Sequence, residues 1–366
     1  VVNEPTFTLY SPYDEASTAR YADSVRDEIE LVRRLIPSGG AQPVRIYFAP
    51  IEDDSGRALP LWQTPSHRSL KGAAMEGEYA FVYVPVRIET SSALYRAASM
   101  RGGTLRHELA HLYAARAGLA RAPWFDEGLA EEVQAACASE SEVELHPFPP
   151  NLLRAREWAT PGSLALLFGW NTAEELPPAE LSRRYVWAQA LFRFLCEQRT
   201  EERFEARARA VMELGEKTIL AREPEWLAWL AHLDALECIR AGAKSSSASE
   251  RARYVDAMPN LAENGATELF TREADELALA LLVDPACMRS AAAFLLFFRA
   301  KALRPEDVEL LSRSDDPAVI LTAQALRARR KEPVDLECAR AAWRRVPEGD
   351  RARCAVLETL LPGTRD

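Results

Sequence analysis

Thr104-Leu105-Arg106-His107-Glu108-Leu109-Ala110-His111-Leu112-Tyr113-Ala114-Ala115-Arg116-Ala117 is closed by Gly118 and followed by Pro123-Trp124-Phe125-Asp126-Glu127-Gly128-Leu129-Ala130-Glu131-Glu132. The reading of the chain turns on this stretch. No proline or glycine interrupts residues 104–117, and Leu105, Leu109 and Leu112 form an apolar stripe, which predicts a helix. Pro123, suited to a first turn, opens a second helix over residues 123–136. His107 and His111 are four residues apart, so both imidazoles lie on one helix face, one turn apart, and can hold one ion. Glu108 can reach a water on that ion as a general base. With five histidines in 366 residues, His-Glu-x-x-His should arise by chance in well under ~1% of such chains, so coincidence explains it poorly.

The third ligand sets the subclass. A metzincin needs a histidine six residues after His111 and a glycine at the third; those positions hold Ala117 and Ala114, which excludes that class. A carboxylate on the following helix is the other solution. Glu127, Glu131 and Glu132 compete for the role. Glu127 and Glu131 share a face, whereas Glu132 is rotated by about 140° from Glu127. Gly128 is expected to let this helix approach the zinc helix closely beside Glu127, with Trp124 and Leu129 packing on the protein side. Glu131, a turn further on, is placed to accept the second N–H of a ligating imidazole.

His107 to His111 followed by Trp124-Phe125-Asp126-Glu127-Gly128-Leu129-Ala130-Glu131 resembles the gluzincin zinc metallopeptidases in their peptidase-MA-like form, over roughly residues 75–200. The resemblance implies a Zn2+ ion held by His107, His111 and Glu127, with a fourth position for water. It implies Glu108 as the group that takes the water's proton and passes it to the leaving amine, and a peptide or protein as substrate. Tyr185-Val186-Trp187-Ala188-Gln189-Ala190-Leu191-Phe192-Arg193-Phe194-Leu195 is similar to the family's third helix, and Tyr185 falls on a tyrosine position there, implying an oxyanion stabiliser. His146 and His232 are the other donors to consider. Proteins of this kind bind an extended substrate against an edge strand beside the zinc helix. Tyr79 to Ile88 is the strongest strand signal, and Pro85 within it argues for an edge, so Tyr83 and Val84 are expected to meet the substrate backbone. No Gly-Ala-Met-Glu-Asn-type motif is present, so endopeptidase action is expected over aminopeptidase action. The rival reading is a catalytically inactive protein of the same fold, working as a binding or scaffold module through its C-terminal helices. The complete His-Glu-His-Glu set argues against it, since Glu108 is not needed to bind zinc.

Around this core the chain reads as α+β. Residues 1–90 form a small α/β lobe with strands at Thr6–Tyr10 and Val44–Phe48 and a helix at Ala19–Leu35, its apolar face Ala22, Val25, Ile29, Val32 and Leu35. Residues 51–77, with two prolines and three glycines, read as a long loop. Residues 91–243 form a helical zincin catalytic lobe whose third helix covers Glu180–Glu197. Lys244-Ser245-Ser246-Ser247-Ala248-Ser249 reads as a linker to a helical, solenoid-like domain over 250–366, punctuated by Pro285, Pro305, Pro317 and Pro333. That domain is the candidate surface for a protein partner.

A net charge of -10 makes nucleic acid and anionic membrane poor partners. No apolar run reaches the length of a bilayer span. None of the six cysteines forms a CxxC pair, and most sit in apolar stretches, as free buried thiols do. A chain that starts at Val1 reads as having lost a leading segment, a signal peptide among the candidates, which leans towards a secreted or cell-envelope location.

Overall fold

The structure, a computed structural model, describes residues 1–11, 15–40, 42–50, 73–75, 81–86, 103–119, 122–138, 143–146, 148–149, 151–171, 176–263 and 265–346. It is a mainly helical α+β protein. Contacts divide it into two compact units: Val1–His146 with Arg154–His232, and Leu233–Asp366 with Pro147–Leu153.

The first unit begins with β1 (Val2–Asn3), β2 (Phe7–Tyr10), α1 (Glu15–Leu35), β3 (Val44–Pro50), β4 (Ala73–Met75) and β5 (Phe81–Val86), whose strands form one sheet in the order β1-β2-β3-β5-β4. β2, β3 and β5 run parallel; β1 and β4 are antiparallel to their neighbours. Period-2 alternation buries Phe7, Leu9, Val44, Ile46 and Phe48, while Tyr10 stacks on Tyr47 with ring centroids 4.5 Å apart. The α1 stripe Ala22, Val25, Ile29, Val32 and Leu35 is buried throughout, and Tyr21 meets Phe48 edge-on at 5.8 Å. Each such Val, Ile or Leu contributes about 1.5–3 kcal/mol over an exposed position.

The expected edge at Tyr79–Ile88 needs correction. β5 is flanked on both sides over Phe81–Tyr83, by β3 and by β4, and β4 lies within the stretch read as a loop. Tyr83 pairs with both Tyr47 and Ala73, so its backbone is not free to take a substrate strand. Val84 pairs with Phe48 and lies one residue past the last β4 partner. Pro85 also lies past β4, where its missing N–H removes no β4 bond, so a proline in a strand signals an end here rather than an edge. The outermost described strand on this side is β4. Residues 76–80 and 87–102 lie outside the described set.

Then come α2 (Thr104–Arg116), α3 (Pro123–Ala135), a short hairpin of β6 (Cys137–Ala138) and β7 (Val143–Glu144), α4 (Asn151–Trp158), α5 (Ser163–Phe168), α6 (Pro178–Glu197), α7 (Phe204–Met212), α8 (Glu216–Leu220) and α9 (Glu223–Ala231). Gly118 ends α2 at φ 68°, a left-handed turn open to glycine. Pro123 and Pro178 lie in the first turns of α3 and α6. A 3-10 turn at Pro37–Gly39 packs on α2, where a Cβ on Gly39 would stand 2.7 Å from the Tyr113 ring.

The second unit holds α10 (Ala235–Gly242), α11 (Ala248–Glu263), α12 (Arg272–Leu281), α13 (Met288–Phe294) running into a π turn, α14 (Pro305–Ser312), α15 (Pro317–Arg330) and α16 (Leu336–Arg345). Asp234, Thr271, Asp316 and Asp335 cap α10, α12, α15 and α16 through their side chains. The serine-rich stretch is the turn between α10 and α11, and the contact division falls at His232 and Leu233. Ser247 Oγ accepts from the Glu250 amide at 3.3 Å, and Ser245 Oγ bonds the Glu250 carboxylate. These serines therefore start a helix, with the Ser247 hydroxyl capping its first turn. Among the described residues no helix is long and apolar enough to cross a membrane. Cys196, Cys287 and Cys338 are free thiols, and burial pushes the Cys196 thiol up to about 12.

Candidate metal centre

α2 and α3 build the site. His107 and His111 project from one face of α2, and α3 crosses back with Glu127 facing them. His107 Nε2 is 3.1 Å from His111 Nε2 and 3.2 Å from Glu127 Oε2, and His111 Nε2 is 3.3 Å from the same oxygen. These three are the one group able to hold a metal among the described residues. Ligands at 2.0–2.1 Å around a tetrahedral zinc stand about 3.3 Å from one another, so the triangle has the size of one face of that tetrahedron.

Charge and tautomer argue the same way. His107 Nδ1 faces Gln134 Oε1 at 3.1 Å and Glu131 Oε1 at 3.7 Å, both acceptors, so Nδ1 carries the hydrogen and Nε2 its lone pair. That lone pair points at a second imidazole nitrogen and a carboxylate oxygen, an arrangement that needs a cation or an added proton between the three. Burial pushes His107 down, yet the Glu127 hydrogen bond and the charges of Glu131, Glu127 and Glu108 lift it to about 9. Burial pushes Glu127 up, but with the added proton in place the hydrogen bonds and charges of His107 and His111 overcome it and hold the carboxyl at about 2. The pocket thus draws in positive charge, and the donor set fits a divalent zinc.

Of the three competing acids, Glu127 alone has an oxygen at both imidazoles. Glu131 lies beside His107 Nδ1 but beyond hydrogen-bond range. Glu132 is 0% exposed and pairs with Arg193 of α6 at 2.7 Å. Glu108 is 7% exposed, with no hydrogen-bond partner among the described residues, and burial raises its carboxyl. Tyr185 donates its hydroxyl to Glu127 Oε1 at 3.4 Å, its ring against Trp170 at 5.4 Å. Burial, followed by the charges of Glu127, Glu108 and Glu131, pushes the Tyr185 hydroxyl up, so it stays a donor. His146 and His232 stand outside the group: the His146 carbonyl accepts from Arg193 at 2.6 Å, and His232 Nδ1 donates to Ala228 of its own helix at 2.7 Å.

The expected role of Gly128 needs correction. A Cβ there would stand 2.5 Å from the Ala188 carbonyl oxygen and 2.8 Å from Phe192 Cβ, so the glycine lets α3 approach α6, not α2. Gln134, Arg106 and Glu28 were not anticipated. A signal for Gln134 was present: it follows Glu127 by seven residues and so shares its helix face with Glu131.

The chain matches no protein-family model, no curated protein and no solved structure. Its function therefore rests on the site.

Proposed function

We propose that this chain is a zinc-dependent peptidase of the gluzincin type that cleaves internal peptide bonds of a peptide or protein. The observation that carries this reading is the triangle of His107 Nε2, His111 Nε2 and Glu127 Oε2, with sides of 3.1, 3.2 and 3.3 Å, beside the buried Glu108 carboxyl. Zinc, when bound, supplies Lewis acidity, making water nucleophilic near neutral pH and polarising a carbonyl. The remaining work falls to the chain. Burial raises the proton affinity of Glu108, which makes it a stronger base than an exposed carboxylate. Glu108 takes the proton of the attacking water and delivers it to the leaving amine nitrogen. The Tyr185 hydroxyl remains protonated and donates to the carbonyl oxygen as its negative charge grows. That the group has three protein members among the described residues, not four, supports catalysis over a closed structural site.

Glu108→Gln tests the assignment, because the amide fills the same space and cannot accept the proton. Zinc content should stay at one per chain while cleavage of casein or a peptide library is lost; His107→Ala and His111→Ala should lose the zinc. Wild-type turnover in Glu108→Gln removes Glu108 as the base. Zinc binding with no cleavage by the wild type favours the inactive binding module.

We read the second unit as a solenoid-like helical array that meets a protein partner. Its support is that α10 and α11, α12 and α13, α14 and α15, and α15 and α16 each pack on the neighbour in sequence, with Leu310 and Phe297 exposed. Leu310→Asp with Phe297→Asp should spare short-peptide cleavage and impair cleavage of a protein substrate; equal loss of both counts against this role.

A further inference from the structure

We infer that Gln134 is the positioning residue for His107, holding that imidazole in the tautomer a metal requires; the inference rests on the zinc reading above. Gln134 Oε1 is 3.1 Å from His107 Nδ1, whereas Glu131 Oε1, the acceptor expected from the sequence, is 3.7 Å away. Only the first distance is a hydrogen bond. An amide oxygen can only accept, so the contact puts the hydrogen on Nδ1 and leaves the Nε2 lone pair facing Glu127 and His111. One stripe of α3 therefore presents both the ligand oxygen of Glu127 and the orienting oxygen of Gln134, two turns apart.

Gln134 is itself held from α2. Arg106, the residue before His107, is buried and grips Glu28 of α1 with two nitrogens, Nε to Oε2 at 2.5 Å and Nη2 to Oε1 at 3.1 Å. Its remaining nitrogen, Nη1, donates to the backbone carbonyls of Gln134 at 3.1 Å and Ala136 at 2.5 Å. Those carbonyls belong to the end of α3, where a helix leaves its acceptors unsatisfied. A single guanidinium thus ties α1, the residue preceding the first ligand, and the turn that carries Gln134. The spacing between His107 and Gln134 cannot drift without stretching the Arg106 Nη1 hydrogen bonds to those two carbonyls.

The test uses the full chain, with zinc affinity measured by chelator competition and the 15N shifts of the neutral His107 ring read in metal-free protein. Gln134→Met keeps the length and removes the acceptor. It should weaken zinc binding by about 10–100-fold, as lost partners of ligating histidines do. It should also shift His107 away from the Nδ1–H tautomer, with the unfolding midpoint held. Gln134→Glu, which restores an acceptor oxygen, should recover most of the affinity and the tautomer. Glu131→Met should cost less than Gln134→Met. Unchanged tautomer and affinity in Gln134→Met, or a larger loss from Glu131→Met, overturns the assignment. A wild-type chain that binds no zinc sinks the zinc reading instead, and the ring shifts still decide whether Gln134 sets the tautomer.

Discussion

Gly128 lies so close to Ala188 that an added Cβ would stand 2.5 Å from the Ala188 carbonyl oxygen. The contact joins α3, which carries Glu127 at the preceding position, to α6, which carries Tyr185. Close approach of these two backbones sets how far Glu127 stands from the Tyr185 hydroxyl, and the absent side chain is what allows it.

Gly128→Ala should therefore destabilise the fold, although alanine is the better helix former. Overpacking of this kind costs about 1–3 kcal/mol, and the helix-propensity gain of about 1 kcal/mol offsets only part of it. Urea unfolding measures the stability, and zinc titration should show weaker binding because Glu127 moves with the helix. Wild-type stability with wild-type zinc affinity would show that α3 and α6 can separate there without consequence.

A second contact between the same helices is the buried pair of Glu132 and Arg193 at 2.7 Å. Arg193→Met should cost about 3–5 kcal/mol, because it strands a carboxylate with no exposed surface. Glu132→Leu combined with Arg193→Met should cost less than Arg193→Met alone, since no unpaired charge remains. Denaturant unfolding of the two variants decides it, and a double variant less stable than the single one would contradict the account.

In the second unit, hydrogen bonds from Arg304 and Arg272 hold the Asp307 carboxyl well below the usual carboxylate range, against the effect of burial. A carboxyl depressed in the folded chain binds fewer protons there than in the unfolded chain. Its contribution to stability is complete above the unfolded value of about 3.9 and is lost as pH falls further, through the folded value. Asp307→Asn should thus lower the unfolding midpoint at pH 7 and show a smaller further loss between pH 4 and pH 2 than the wild type. Parallel acid limbs for the two proteins would remove Asp307 from the acid transition.

The helices were legible because their signals are local. The stripe of α1, the uninterrupted run of α2, the first-turn proline of α3 and the apolar face of α6 each specify an element without reference to the rest of the chain. The cluster of His107, His111 and Glu127 was legible for the same reason: residues 107 and 111 lie on one face, and Glu127 lies early in the next helix. Pairings between distant residues were not. β4 is three residues long and has no period to detect, so its cover over Phe81–Tyr83 could not be foreseen and Pro85 suggested an edge. Gly128 announces a close approach but not the partner, and Ala188 of α6 lies 60 residues on. The Arg106–Glu28 pair joins positions 78 residues apart, and nothing in the run around Arg106 marks it as buried. The serines at 245–249 suggested a linker by composition, whereas the Ser247–Glu250 spacing was the better guide.

Tyr185 is the residue whose two roles can be separated most cleanly. Its hydroxyl donates to Glu127 Oε1 at 3.4 Å, a long bond, while Trp170 packs edge-on against its ring at 5.4 Å and fixes its direction. A hydroxyl so weakly engaged with the ligand contributes little to holding it, and can turn to a substrate carbonyl with little loss. Tyr185→Phe keeps the ring and the Trp170 contact and removes only the donor. If the hydroxyl serves the developing oxyanion, zinc affinity should stay close to the wild-type value. Turnover of a peptide substrate should fall by about 100-fold or more, in line with the loss of one oxyanion donor. KM should change little, because the interaction strengthens only as charge develops. If the hydroxyl serves Glu127 instead, zinc affinity should fall while turnover per bound zinc is preserved. Measuring zinc affinity and kcat on the same preparation therefore separates the roles, and loss of zinc with intact kcat per zinc would move Tyr185 from the reaction to the support of the third ligand.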